Sequence, residues 1–260
     1  MQKRCSEILE DKSGQVTIFV IIAIVIVGAV LLYFFVLPGS RVNISDFNSE
    51  NPQGFMQTCL NERIIEVVQL VSIQGGSVEP EHYFTYNEVP IEYLCYTNEN
   101  LKPCVVQQPL LKQHIESEVE SAIGNDVQRC FDSLKESYEG KGYNVALDTG
   151  ITRVELLPNR INIDMNYILT TSKSETTRFD DFSVAVDNNL YELVSIANSI
   201  IEWETTIGDA DPRIYGRLDS NIIVDKNLRD DGTKIYKIEE LSSGDIFQLA
   251  SRSLVFPVGY

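Results

Sequence analysis

Between Ser13 and Ser40 the chain carries no charged side chain, and Val16 to Leu37 is an almost wholly apolar run of 22 residues. A helix of that length spans roughly 33 Å, enough to cross a hydrocarbon core of about 30 Å. The run exceeds the apolar core of a cleaved secretory signal, and no small-residue A-x-A site follows it. It has no polar face with which to sit on a soluble core. Tyr33, Phe34 and Phe35 stand near its far end, where aromatic rings favour the interface. Lys3, Arg4 and Lys12 precede it, and only Arg41 follows closely. That bias predicts a cytoplasmic N-terminus and a domain outside the membrane, held to the lipid bilayer through residues 16–37.

The formal charge of −17 falls on the portion after Leu37, because the three basic and three acidic residues before it cancel. Such acidity opposes binding to nucleic acid and to anionic headgroups, both of which need Lys/Arg patches. Of five cysteines, Cys5 precedes the apolar run, whereas Cys59, Cys95, Cys104 and Cys130 follow it. Four cysteines in an oxidising compartment predict two disulfides, with three connectivities open. Cys95 and Cys104 bracket the turn residues Thr97-Asn98-Glu99-Asn100, which points to a hairpin closed by its own bridge. Cys59 and Cys130 then tie two helices. A four-cysteine zinc site is disfavoured, because no CxxC pair occurs.

The expected organisation is a leader over residues 1–14, a transmembrane helix over 15–37 and a Pro/Gly/Ser/Asn-rich linker over 38–53. A disulfide-bonded helical subdomain follows over 54–140. The helix from Gly54 to Ile73 places Phe55, Cys59, Leu60, Ile64, Val67, Val68 and Val71 at three- and four-residue steps and ends at Gly75-Gly76. Residues 77–108 are strand-like and rich in tyrosine. A second helix from Pro109 to Glu139 carries Leu111, Ile115, Val119, Ile123, Val127, Cys130, Leu134 and Tyr138 as its stripe. Residues 141–260 form a β-rich subdomain with one helix, over 188–206, whose apolar positions include Trp203. Strands are expected over 154–157, 160–170, 175–186, 221–224, 233–238 and 246–256, with turns at Pro158-Asn159, Asp231-Gly232 and Ser243-Gly244. The fold class is α+β, the helical and β-rich halves packing as one extracytoplasmic unit.

The segment Lys12-Ser13-Gly14-Gln15-Val16-Thr17-Ile18-Phe19 opening an apolar helix resembles the class III signal of archaeal type IV pilin-like proteins. The resemblance implies cleavage by a prepilin peptidase between Gly14 and Gln15. Phe19 departs from the pattern, since many pilins carry Glu at the fifth mature position. The chain is also similar to membrane-anchored surface proteins of small-genome archaea through Gln15 to Phe19, Cys59-Leu60, Gln74-Gly75-Gly76 and Cys130. That likeness covers most of the chain and implies no catalytic residues.

The candidate sites are few. His82 and His114 are the only histidines; His114 with Glu116 and Glu118 is not HExxH and is expected on a solvated helix face. No GxSxG, Walker A or dinucleotide glycine pattern occurs. Asp225-x-Asn227 before Asp230-Asp231-Gly232 lacks the ligand spacing of an EF-hand, and Asp231-Gly232 more simply makes a turn. Asn43-Ile44-Ser45 is a glycosylation sequon, its occupancy open. No catalytic residue, cofactor or metal ligand is expected. The expected function is contact with a protein or envelope partner, and the aromatic segment Tyr83 to Tyr96 is the expected surface unless its rings only cover the helix pair. The alternative is a pilin-like subunit of a filament or secretion complex. An extracellular hydrolase has only the abundance of acids in its favour.

Overall fold

Asn51 opens the first helix, α1 (Pro52–Ile73), by accepting the Gly54 N–H at 2.8 Å on its side-chain oxygen, with Pro52 at the first helical position. A computed structural model describes residues 51–255. The apolar run, Cys5, the Gly14/Gln15 junction, the Asn43 sequon and most of the linker lie outside them. Among the described residues no helix is long and apolar enough to cross a membrane.

α1 ends in a Schellman motif: Gly76 N–H donates to Val71 O at 2.7 Å, with Gly75 and Gly76 at φ +87° and +111°. A side chain at Gly75 would come within 3.0 Å of the Glu92 backbone, so both conformation and space require glycine there. The second helix, α2 (Leu111–Gly140), lies antiparallel to α1: Cys59 faces Cys130 and Arg63 faces Asp126. The Cys59–Cys130 disulfide joins them with a Cα separation of 6.0 Å. Both stripes are buried, from Met56 to Val71 on α1 and from Leu111 to Tyr138 on α2.

Three strands, β1 (Tyr83–Tyr86), β2 (Val89–Tyr96) and β3 (Val105–Val106), lie between the helices. After α2 come β4 (Asn144–Asp148), β5 (Thr152–Leu157), β6 (Arg160–Met165), β7 (Ile168–Ser172), β8 (Thr176–Phe179) and β9 (Phe182–Asp187). Helix α3 (Leu190–Thr206), a 3-10 turn (Pro212–Ile214) and the one-turn helix α4 (Tyr215–Leu218) precede β10 (Ile222–Leu228), β11 (Thr233–Glu240) and β12 (Ile246–Arg252). The largest sheet runs β1-β2-β12-β11-β10, with β3 also on β2, and β2 pairs with β12 in parallel. Two smaller sheets run β4-β7-β8 and β5-β6-β9.

The strand-like segment between the two long helices supplies β1 to β3, and the last segment supplies β10 to β12, to one sheet that joins the portions before and after residue 140. A parallel neighbour needs a long crossover, and here it is most of the chain. The strand expected over 160–170 is divided at Asn166-Tyr167, and the one over 175–186 at Asp180-Asp181. Met165 pairs with Phe182 and Leu169 with Phe179, so three residues oppose two between these pairs. That bulge hands the hairpin from one small sheet to the other. Alternation survives it, because Tyr167 is buried and stacks on Phe131 with ring centroids 4.2 Å apart.

α1 also closes a sheet edge. Gln57 accepts the Ala185 N–H at 3.2 Å and donates to Ala185 O at 3.0 Å, while Gln53 makes the same pair of bonds with Ser183 of β9. Two primary amides one helical turn apart thus satisfy a strand edge as a neighbouring strand would.

On the large sheet's inner face, Tyr236, Ile238, Phe247 and Leu249 enter the main core with α3. Trp203, expected on the α3 stripe, is 41% exposed, and Glu204 is fully buried instead. The helical period from Leu193, Ala197 and Ile200 falls on Glu204, one residue further. Its carboxylate accepts from Lys234 Nζ at 2.9 and 3.0 Å and from the Tyr236 hydroxyl. Lys234 also reaches Asp209 at 3.2 Å, and Lys226 holds Asp209 from the other side at 2.9 Å. Burial first, then the Glu204 charge, hold the Tyr236 phenol far above its ordinary range.

Candidate interaction surface

The outer face of the large sheet has its own apolar cluster, separate from the main core: Ile91, Tyr93, Ile235 and Ala250, overlaid by Phe84, Tyr86, Val89 and Tyr96. β1 and β2 are joined by Asn87 and Glu88, with φ +49° and +68°, the positive pair that a type I′ turn requires. Non-glycine residues bear a steric cost there of about 1–2 kcal/mol each. The turn fixes Phe84 opposite Ile91 and Tyr86 opposite Val89, on the outer face.

Arg229, just past β10, lies 5.9 Å from the Phe84 ring centroid and 5.8 Å from that of Tyr86. The two opposite edges of the sheet therefore meet through a cation and two rings, and the face is curled into a trough. At the other end Tyr93, Tyr96 and His82 cluster with centroids 4.3–5.0 Å apart, Tyr96 meeting the other two edge to face. Arg252 lies 5.6 Å from the Tyr96 ring and donates to Asp231 O at 3.0 Å. Tyr93 is pinned from below. The Thr233 hydroxyl donates to Asp231 Oδ2 at 2.9 Å, so at 2.8 Å it must accept from Tyr93. Burial raises the Tyr93 phenol above its ordinary value.

Between the hairpin tip and β10 the trough opens as a groove of about 540 Å³, bordered by Tyr86, Asn87 and Val89 on one side and Asp225, Lys226 and Asn227 on the other. Ile235, Lys237 and Gln248 line its floor. Within the aromatic segment, Phe84, Tyr86, Tyr93 and Tyr96 thus lie on the outer face of a sheet, apart from the core around the helix pair, whereas Tyr83 faces the other way, opposite Glu92. The opposite wall comes from β10 to β12, which only the long-range parallel pairing brings here. The strand expected over 221–224 runs on to Leu228, which places Asp225 opposite Lys237 and Asn227 opposite Ile235 on this face.

The other sequence-marked residues have structural partners. Cys95 and Cys104 are disulfide-bonded across the β2–β3 hairpin with a Cα separation of 5.3 Å. His114 is half-buried, its Nε2 2.8 Å from the Ser77 hydroxyl, which also bonds the Glu92 carboxylate, and both Ser77 and Glu92 are buried. Glu118 accepts the Val78 N–H and Glu116 the Leu156 N–H, each at 2.8 Å. Asp231 Oδ1 accepts the Thr233 N–H at 3.0 Å, which makes the Asp231-Gly232 segment a side-chain-capped turn. Among the described residues no group of three His, Cys, Asp or Glu is arranged to hold a metal. Comparison with protein families, curated proteins and solved structures returned no match.

Proposed function

We propose that this protein is a single-pass membrane-anchored domain on the extracytoplasmic side, acting by surface contact with a protein or envelope partner and not by catalysis. The observation that carries this reading is the outer sheet face, where Phe84, Tyr86, Tyr93 and Tyr96 gather with Arg229 and Arg252 over their rings, beside a groove that Tyr86 lines. Large rings with polar tips and stacked guanidinium groups are the side chains that interfaces concentrate. The apolar run of 22 residues and the basic residues before it support the anchor and its orientation. Two disulfides suit an oxidising compartment. A second reading, a pilin-like subunit, draws on the Gly14-Gln15 junction before the apolar run.

Protease added to intact cells expressing the full chain should digest everything after Pro38 and spare an N-terminal tag. Protection of the domain, with loss of the tag alone, would reverse the orientation. The purified chain's N-terminal sequence separates the two readings: a start at Met1 is expected for a plain anchor, and one at Gln15 for the pilin-like subunit.

A further inference from the structure

We infer that the groove beneath the β1–β2 hairpin binds a neutral saccharide, an inference that rests on reading the outer sheet face as the contact surface. The volume of about 540 Å³ lies within the usual range for small-ligand sites. Its lining combines two chemistries. Tyr86, Val89 and Ile235 supply a ring and an apolar floor. Around them, the side chains of Asn87, Asp225 and Gln248 have no hydrogen-bond partner among the described residues. Asn227 Oδ1 accepts from Arg229 at 3.3 Å, which leaves its amide protons to donate. Lys237 donates to Glu239 at 2.6 Å with further ammonium protons to spare.

A pyranose fits this combination. One of its faces presents C–H groups that pack on an aromatic ring, and its hydroxyls both donate and accept. Asn87 and Gln248 can do both, Asp225 accepts, and Asn227 and Lys237 donate. Other ligand classes meet an obstacle in the same residues. An anionic sugar or phosphate meets Asp225, while the two lysines of the lining are already held, Lys226 by Asp209 and Lys237 by Glu239. A cation faces those same two lysines. An apolar ligand would desolvate Asp225, Asn87 and Gln248 without partners.

The full-length protein, purified in mild detergent, is titrated calorimetrically with neutral hexoses, N-acetylhexosamines and their short oligomers, beside uronic and sialic acids. Saturable binding of a neutral sugar is expected. Tyr86→Ala and Asp225→Ala should each weaken it by about tenfold or more, whereas Tyr86→Phe, which keeps the ring, should not. Thermal melting shows that each variant is folded, and Y86F remains informative if Y86A is not. The inference is overturned if no neutral sugar saturates at about 10 mM, a very weak affinity. It is also overturned if acidic sugars bind more tightly, or if folded Y86A and D225A bind as the parent does. A photo-crosslinker at Asn87 separates the two levels. Capture of a protein without sugar binding removes the saccharide but leaves the contact face, and neither result removes both.

Discussion

Glu204 has no exposed surface, yet it is placed where α3 would otherwise bring an apolar side chain against the sheet. Its charge is tolerated because Lys234 and the Tyr236 hydroxyl converge on it, and because Lys226 and Asp209 balance the remainder. Removing one partner of such a pair strands the other charge, whereas replacing both with apolar groups is often close to neutral. Lys234→Met should therefore destabilise the protein by about 3–5 kcal/mol in urea unfolding with disulfides intact. The double variant Lys234→Met/Glu204→Leu should recover most of that loss. Equal losses in the single and double variants would mean that the site matters for its shape and not for its charge. Lys234 and Ile235 are neighbours on opposite faces of β11, so this anchor also sets the level of the groove floor.

At the scale of elements, the sheet edge closed by Gln53 and Gln57 gives a second test. Gln53→Ala/Gln57→Ala removes four hydrogen bonds to β9, whose backbone is left to water, at about 0.5–1.5 kcal/mol each at most. A loss of roughly 2 kcal/mol is expected in a denaturant midpoint, with faster hydrogen exchange at the Ala185 amide, since partly hydrated bonds lie at the low end of that range. Unchanged exchange at Ala185 would show that the amides do not protect the edge. This contact was illegible in the sequence, because nothing local links a glutamine to a strand more than a hundred residues away. What was legible is what short-range chemistry encodes. The apolar stripes located both long helices, and Asp231-Gly232 and Ser243-Gly244 located hairpins. Alternation carried Ile161 to Tyr167 correctly inward but hid the bulge, since burial continues while the ladder partner changes. One wall of the groove, at Tyr86 and Val89, falls within the aromatic segment Tyr83 to Tyr96 that the sequence marks. The polar wall was not legible, because the β2–β12 pairing that assembles it spans about 150 residues.

For the molecule as a whole, the two disulfides divide the work of stabilisation unequally. The loop closed by Cys59–Cys130 spans 71 residues and that closed by Cys95–Cys104 spans nine. Restricting the unfolded chain contributes about 4 kcal/mol for the longer and about 2.5–3 kcal/mol for the shorter. Replacing each pair by alanine should reproduce that order in urea unfolding. The functional effect should run the other way. Cys95 sits on β2 between Tyr93 and Tyr96, and the Cys104 N–H donates to the Ser253 hydroxyl at 2.9 Å, beside the end of β12. Loss of the short bridge loosens the strand that carries the rings, whereas loss of the long one loosens the helix pair behind it. Cys95→Ala/Cys104→Ala should therefore alter aromatic-region NMR shifts of Tyr93 and Tyr96, and Cys59→Ala/Cys130→Ala should leave them near the parent values while costing more stability. If the short bridge proves the larger contributor to stability, native packing around Cys95 and Cys104, both buried, outweighs loop entropy in holding this fold together.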